Sequence, residues 1–324
     1  MKLSILDQSP VISGLGARRA IEETLALARR ADELGYHRYW LAEHHAIAAL
    51  ADPCPEILLA RLGAETRRLR VGTGGVLLPY YSAFRTAETF RMLEALYPGR
   101  IDLGVGRAPG GDARTAQAVG GGRFPDAEHF PQQVWELAAL LEGKHRPVRL
   151  QPEVETVPEV WLLGSSDYSG ALAAELGLSF AFAHFINPRG GDAVARAYRE
   201  MFKPTETRTR PQVIVCTFAI VADSDEEAER LAAPVRVAIV NSRTGRRAPV
   251  PSIEEALAHP FTPEERAIAD DFLAGAVIGG PDRVTARLPE LAREHGADEL
   301  MLSTLVPSLD ARRRALEAIA AALL

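Results

Sequence analysis

The chain has 324 residues, of which 47% are hydrophobic and 25% are charged, and its formal net charge is -6. This composition is typical of a soluble globular protein with a large core. The acidic balance gives no electrostatic reason to expect binding to nucleic acid or to an anionic membrane. No run approaches the roughly 20 apolar residues that a membrane span needs.

Cysteine usage and the start of the chain both indicate the cytoplasm. Cys54 and Cys216 lie far apart and form no CxxC pattern, so they predict neither a disulfide framework nor a zinc site. Residues 1–7 are too few, and become polar too soon, for a signal peptide. We therefore expect a cytoplasmic protein in a reducing compartment.

Short apolar runs alternate with helical patterns along the whole chain. Ile21, Leu25 and Ala28 show the helical spacing, and Gly35 ends that helix. Strands are predicted at residues 3–6, 39–42, 69–78, 101–106, 160–163, 180–183, 213–221 and 300–304. Helices are predicted near residues 17–34, 56–66, 86–96, 127–141, 193–202, 225–239, 283–294 and 310–324, with a further helix ending at 176. A polar, proline-bearing stretch at 144–158 is predicted as a surface excursion.

This alternation predicts the fold class. Short, continuous apolar strands indicate a parallel sheet that is buried on both faces. Eight such strands alternating with helices indicate an α/β protein of the closed (β/α)8 TIM barrel type, because a doubly wound sheet normally has fewer strands. We expect one domain over residues 1–324, with a long variable insertion at 241–280 after the seventh strand.

Polar side chains follow most of the predicted strands. Barrel enzymes place their sites at the C-terminal ends of the strands, so these side chains are expected around one mouth. They are Asp7 and Gln8, Glu43 to His45, Thr73 to Gly75, Arg107, Gly164 to Ser166 with Ser169, His184 and Asn187, and Ser303 and Thr304.

Two of these groups predict a phosphate site. The turn Gly164-Ser165-Ser166 leads from a strand into a helix, where free backbone N–H groups and the helix dipole favour an anion. Arg107, on the neighbouring strand, can offer a planar fork to phosphate oxygens. The alternatives are plain N-capping by the serines and a structural salt bridge for Arg107.

Two other groups leave more than one interpretation open. Gly74 and Gly75 alone favour a β-bulge, although they would also allow the backbone to approach a flat ligand closely. His44 and His45 are adjacent, so only one of them can face the barrel mouth. A metal site would need further ligands such as His184 and Asp7, and a purely structural histidine is the other alternative.

Four segments resemble the bacterial luciferase-like, flavin-dependent monooxygenase family. They are residues 39–45, 71–79, 99–107 and 161–166, and the opening residues 7–10 resemble its single-chain, FMN-utilising branch. The resemblance implies a barrel that binds reduced FMN, usually delivered by a separate NAD(P)H:flavin reductase. Reduced FMN would react with dioxygen to a flavin hydroperoxide that oxygenates a small organic substrate. A homodimer is also implied.

The resemblance carries roles onto matching residues. His44, with His45 beside it, matches the histidine that handles protons next to the flavin. Gly74-Gly75 matches a non-proline cis peptide beneath the flavin ring. Arg107 and residues 164–166 match the flavin phosphate contacts. Gly106 stands where the light-emitting subunits carry a cysteine, so light emission is not expected.

Three rival functions stay open at this point. A deazaflavin-dependent dehydrogenase could use the same barrel and transfer hydride without dioxygen, although Glu43-His44-His45 favours FMN. A flavin-binding protein without turnover could act as a store or carrier. A hydrolase with a metal at His44, His45 and His184 is the third.

Overall fold

The computed structural model describes residues 1–108, 110–144 and 148–324, so part of the predicted surface excursion lies outside the described residues. The strands are β1 (Lys2–Asp7), β2 (Arg38–Leu41), β3 (Arg70–Leu77), β4 (Ile101–Gly106), β5 (Glu159–Gly164), β6 (Ser179–Ala183), β7 (Val213–Val221), β8 (Val277–Gly279) and β9 (Glu299–Ser303). The helices are α1 (Gly16–Leu34), α2 (Pro55–Glu65), α3 (Ala83–Leu96), α4 (Ala113–Val119), α5 (Phe130–Leu141), α6 (Asp167–Glu175), α7 (Gly191–Met201), α8 (Asp225–Arg243), α9 (Ile253–Leu257), α10 (Pro263–Leu273), α11 (Pro281–Glu294) and α12 (Leu309–Leu323).

Eight of these strands form a closed parallel barrel, as predicted. Their order is β6-β5-β4-β3-β2-β1-β9-β7, and pairing between β6 and β7 closes the ring. Each predicted strand has a counterpart, and helices connect the strands within a single domain. The carboxyl ends of the barrel strands therefore share one mouth.

A ninth strand, β8, was not predicted. It pairs in parallel with the last three residues of β7, in register from Ala219↔Val277 to Val221↔Gly279. The preceding part of β7 pairs with β9 instead, from Ile214↔Glu299 to Phe218↔Ser303. With β6, which closes the ring, β7 therefore pairs with three strands.

Residues 241–280 are more regular than the sequence suggested. Besides β8 they contain α9 and α10, and both helices begin with a complete capping box. In α9 the pair is Ser252 and Glu255, and in α10 it is Thr262 and Glu265. This pattern is readable in a sequence and marks helix starts.

Three clusters of buried apolar side chains lie in the described part of the molecule, and one of them joins the end of β7 to α8 and α10. An outer layer lies between the sheet and the helices. An inner cluster fills the barrel, and Trp40 and Trp161 meet edge to face there with ring centroids 5.6 Å apart. The other buried members of the inner cluster are Leu6, Ala42, Ala181, Ile214, Cys216 and Met301.

Charged side chains fill the N-terminal end of the barrel. The buried guanidinium of Arg38 lies 2.9 Å from both Asp102 and Glu159, and 3.1 Å from Glu299. Burial opposes ionisation of Glu159, but Arg38 and other arginines outweigh it and lower the pKa of Glu159 to about 2. We call Arg38, Asp102, Glu159 and Glu299 the basal ion cluster.

The described part of the chain contains no helix that is both long and apolar enough to cross a membrane.

Candidate active site

The tip of β2 presents its two histidines differently. Side chains alternate along a strand, and Trp40 and Ala42 belong to the cluster inside the barrel. β2 ends at Leu41, and continuing the same alternation beyond it places His44 on the inward side. His45 is held instead by the buried carboxylate of Glu43, whose Oε1 lies 2.7 Å from the His45 Nε2.

Glu43 also connects the end of β2 to the last residue of β3 and to the chain that follows it. Its Oε1 accepts a hydrogen bond from the Tyr81 hydroxyl at 2.6 Å, and its Oε2 accepts one from the Leu77 N–H at 2.9 Å. The Glu43 carboxylate and the His45 imidazole therefore have structural partners.

His44, unlike His45, has a ring nitrogen that makes no hydrogen bond to the described residues. Its Nδ1 is buried and has no hydrogen-bond partner among the described residues. Desolvation lowers the pKa of the imidazole to about 4, and the carbonyl of Ala42 opposes this shift only in part. The imidazole is therefore neutral near pH 7, and its free nitrogen is available to a proton or hydrogen-bond donor on a bound molecule.

Gly74 and Gly75 are joined by a non-proline cis peptide bond, as the family resemblance implied. The register between β3 and β4 also shifts between Thr73 and Val76, so the bulge predicted from the glycines is present as well. A Cβ on Gly74 would lie 2.7 Å from the Leu6 side chain, and one on Gly75 would lie 2.6 Å from the Gly104 carbonyl oxygen. The Gly104 backbone therefore excludes a side chain at Gly75, whereas a side chain at Gly74 would require the Leu6 side chain to move.

Arg107 and the Gly164-Ser165-Ser166 turn come together at the mouth. The Arg107 guanidinium lies over the ring of Tyr168, in the first turn of α6, at 4.3 Å from its centroid. Ser166 is the N-cap residue of α6 but its hydroxyl makes no capping bond. The carbonyl of Ser165 accepts a hydrogen bond from the Asn187 side chain at 2.9 Å.

The two alternatives considered for this group are not what the structure shows. Arg107 is exposed and forms no ion pair with any described residue, so the structural salt bridge is wrong. The missing cap bond of Ser166 likewise argues against plain N-capping. The Asp167 carboxylate in the first turn of α6 accepts a hydrogen bond from the Tyr168 N–H at 2.8 Å. The Arg107 guanidinium, which has no ion-pair partner among the described residues, and the other N–H groups at the start of α6 can receive a phosphate.

His184 does not join the site, contrary to the sequence analysis. It follows Phe180 and Phe182 on the face of β6 that packs in the outer layer, and its ring lies 5.1 Å from that of His295. Within residues 1–108, 110–144 and 148–324, no three His, Cys, Asp or Glu side chains gather to hold a metal. The metal site drawn from His44, His45 and His184 is therefore wrong.

Sequence reasoning missed Tyr81 and Tyr168. Tyr81 holds Glu43, and Tyr168 stacks on Arg107. Tyr168 had a readable signal, because it lies in the first turn of the helix that follows the predicted phosphate turn. Tyr81 had none, because its partner lies 38 positions earlier in the chain.

Segments from several connections converge over the mouth. The Val250 N–H donates to the Val11 carbonyl in the connection after β1, at 2.8 Å. Arg247 forms an ion pair of 2.6 Å with Asp112 in the connection after β4. The stretch between α8 and α9 therefore contacts the loop after β1 and the loop after β4.

The site lies at the mouth of the barrel, on four strands that are neighbours in the sheet. His44 follows β2, the cis glycines lie in β3, Arg107 follows β4, and the serine turn follows β5. The model of the luciferase-like monooxygenase family matches residues 1–299 of the chain. The chain belongs to the luciferase-like monooxygenase family.

Two similar proteins cover nearly all of the chain. A luciferase-like monooxygenase of Escherichia coli (strain K12) is 39% identical over 317 residues, which are 97% of this chain and 94% of the relative. The crystal structure of apo-MsnO8 is 37% identical with a TM-score of 0.92, and the match covers 99% of this chain and 98% of that one.

More distant solved structures share the fold alone. The oxygenating constituent of 3,6-diketocamphane monooxygenase from Pseudomonas putida, in complex with FMN, has a TM-score of 0.71 at 18% identity and covers 100% of this chain and 98% of its own. The coenzyme F420 dependent tetrahydromethanopterin reductase from Methanopyrus kandleri has a TM-score of 0.69 at 14% identity, with coverage of 99% and 98%.

Proposed function

We propose that this protein is the oxygenase component of a two-component, FMN-dependent monooxygenase. It would use reduced FMN and dioxygen to oxygenate a small organic substrate. The observation that carries the proposal is the order of groups around the mouth. An unpaired guanidinium beside a helix N-terminus stands on one side, and the uncommitted, neutral His44 stands on the other.

The residues present fit a flavin mononucleotide. Arg107 and the N–H groups at the start of α6 would hold the phosphate. The glycine backbone at Gly74-Gly75 would face the flat ring system. A Cβ on Gly106 would meet no atom within 4 Å, so the mouth is open beside Arg107.

Reduced FMN would supply the electrons that activate dioxygen, and the protein would supply binding, orientation and proton handling. His44 would hold or move a proton at its free Nδ1. Glu43 and His45 would fix the position of His44 through the Tyr81 and Leu77 contacts. The fastened connections around Val250 and Arg247 would help exclude water from the closed mouth.

The partners follow from the same proposal. A separate NAD(P)H:flavin reductase would deliver reduced FMN, which agrees with the description of the Pseudomonas putida structure as an oxygenating constituent. A homodimer would cover the exposed apolar side chains Ile57 on α2 and Met92 and Leu96 on α3. Cytoplasmic residence fits the two free cysteines.

A deazaflavin-dependent dehydrogenase is the second candidate, and the F420-dependent fold relative is the observation that favours it. A flavin-binding protein without turnover is the third. The three differ in which cofactor binds and in what dioxygen does to the complex.

Anaerobic titration separates them. FMN, reduced FMN, riboflavin and reduced F420 are each titrated against the protein, and binding is followed by fluorescence or absorbance. We expect reduced FMN to bind more tightly than riboflavin and reduced F420. Binding of F420 alone would establish the dehydrogenase, and binding of none of them would refute the proposal.

Admitting air to the complex with reduced FMN completes the test. We expect the bound flavin to reoxidise with kinetics different from those of free flavin, and to transfer oxygen when substrate mixtures are present. Reoxidation at the rate of free flavin, with hydrogen peroxide as the sole product for every substrate offered, would favour the carrier function.

A further inference from the structure

Residues 43–54 form a segment that we call the His44 loop. It folds back on itself, because the backbone N–H of His44 donates to the backbone carbonyl of Asp52 at 3.2 Å. Ala46 within it has a φ of 55°, in the left-handed region that non-glycine residues seldom occupy. Such a conformation persists only when surrounding contacts hold it. The placement of His44 thus depends on the anchors of this loop.

The side chain of Asp52 is an unusual anchor. Its Oδ1 accepts a hydrogen bond from the Cys54 N–H at 3.1 Å, which shapes the turn into α2. Its Oδ2 is buried and has no partner in the described part of the chain. The residue is only 6% exposed. A buried carboxylate oxygen without a donor is costly, whereas a protonated carboxyl carries no charge to desolvate.

The charged groups that face Asp52 all have the same sign. They are Glu56 at the start of α2, Asp7 at the end of β1 and Glu43 at the end of β2. No described cation forms an ion pair with Asp52, and the nearby Cys54 is a free thiol. A negative charge on Asp52 would therefore be repelled by these three acidic side chains.

We propose that Asp52 is a positioning residue for His44, and that its carboxyl must carry a proton for the His44 loop to keep this conformation. Burial raises the pKa of Asp52 to about 7, with Glu56, Asp7 and Glu43 adding to the shift and the Cys54 N–H opposing it. The role in turnover rests on the proposed function, but the effect on the loop does not.

The sign of the pH effect follows from this raised pKa. The folded loop binds the proton more tightly than the unfolded chain, whose aspartate pKa is near 3.8. Stability that depends on this proton falls as the pH rises from about 4 through about 7. Above that range a negative charge on Asp52 adds to the three acidic side chains near it, and the bond between the His44 N–H and the Asp52 carbonyl opens more often.

Hydrogen exchange across residues 43–54 tests the proposal without any flavin. We expect opening of the loop in the wild type to increase on the order of tenfold or more between pH 6 and pH 9, after correction for base-catalysed exchange. Asp52→Asn keeps the oxygen that accepts from Cys54 and stands for the protonated carboxyl, so its loop should show no such increase. Asp52→Ser is a second neutral variant, because a hydroxyl can accept the same hydrogen bond.

Asp271→Asn is the matched control, since that carboxylate is exposed and pairs with Arg189 on the surface. It should keep the wild-type pH dependence. A wild-type loop whose opening is independent of pH would overturn the proposal, and this measurement needs no variant. Equal pH dependence in the wild type and in both neutral variants would overturn it as well.

The pH profile of oxygenation then tests the role in turnover. Between pH 7 and pH 9 the yield of product per reduced FMN should fall in the wild type and stay level in Asp52→Asn. If the protein binds no flavin, the proposed function fails while the exchange result stands. If the exchange differs as expected but the yields do not, Asp52 anchors the loop without positioning His44 for catalysis.

Discussion

The guanidinium of Arg107 lies over the ring of Tyr168 at 4.3 Å from its centroid, which joins the end of β4 to the first turn of α6. A cation held over an aromatic face is attracted to it and loses freedom to turn away. The stack therefore holds the Arg107 guanidinium beside the first turn of α6.

Replacing Arg107 by Ala should weaken the binding of FMN by roughly 10- to 100-fold, because a charge-assisted hydrogen bond contributes about 1.5–3 kcal/mol. Riboflavin, which lacks the phosphate, should lose little affinity. Parallel titrations with the two flavins measure the difference.

Arg210→Ala is the control for that change, because Arg210 is exposed and lines a cavity at the opposite end of the barrel. It should leave both affinities unchanged. Tyr168→Leu should reproduce a smaller part of the Arg107→Ala effect. Equal losses for FMN and riboflavin in Arg107→Ala would rule out a phosphate contact.

The two adjacent histidines should respond oppositely to truncation. His45→Ala removes one of the partners of the buried Glu43 carboxylate, leaves Tyr81 and Leu77 in place, and should lower the free energy of unfolding by about 1–3 kcal/mol. His44→Ala removes a nitrogen that has no partner, so stability should change by less than about 1 kcal/mol while product per reduced FMN falls.

Urea unfolding and product yield, measured on the same preparations, decide this point. Full coupling of flavin oxidation to product in His44→Ala would remove that residue from proton handling. A stable His45→Ala with lost coupling would reverse the assignment of the two roles.

Two glycines of β4 provide a test of packing around the cis peptide. A Cβ on Gly104 would overlap the carbonyl oxygen of Thr73, which is backbone and cannot move aside. Gly104→Ala should therefore lower the free energy of unfolding by about 1–3 kcal/mol or more. Gly106→Ala is the matched control two residues along the same strand, where a Cβ meets nothing within 4 Å, and should cost less than about 0.5 kcal/mol. Equal urea midpoints for the two variants would contradict the close approach of Gly104 to the Thr73 carbonyl oxygen.

The basal ion cluster should be sensitive to the loss of its central cation. Arg38→Ala would leave Asp102 and Glu299 buried with less compensation and should lower the free energy of unfolding by about 3–5 kcal/mol. The control is Arg18→Ala, because the Arg18 side chain is 93% exposed and its pair with Glu22 should contribute less than about 1 kcal/mol. Similar losses in the two variants would mean that the cluster is as weak as a surface pair.

The sequence predicted the barrel because each strand is a short apolar run and each run is followed by a helical pattern. It did not predict β8, because this strand has only three residues, too few to stand out as an apolar run. It pairs with the last three residues of β7. The capping boxes at Ser252 and Thr262 were readable, and they would have placed α9 and α10.

The candidate site was predictable to the level of strand ends, but not of side-chain partners. Alternation showed that His44 and His45 face opposite ways, but a strand buried on both faces does not reveal which face is inward. Trp40 settles this once it is seen inside the barrel. The prediction that His184 lies at the mouth was wrong for the same reason, because the sequence does not show which face of β6 is inward.

The basal ion cluster affects how small molecules can enter and leave the barrel. Buried arginine and carboxylate side chains occupy the end of the barrel opposite the mouth. Under the proposed function, cofactor, dioxygen, substrate and product would therefore share one entrance. A large flavin entering first would leave the remaining space to the smaller reactants. Under the proposed function, the order in which reactants arrive would then be set by the geometry of a passage that is closed at its far end.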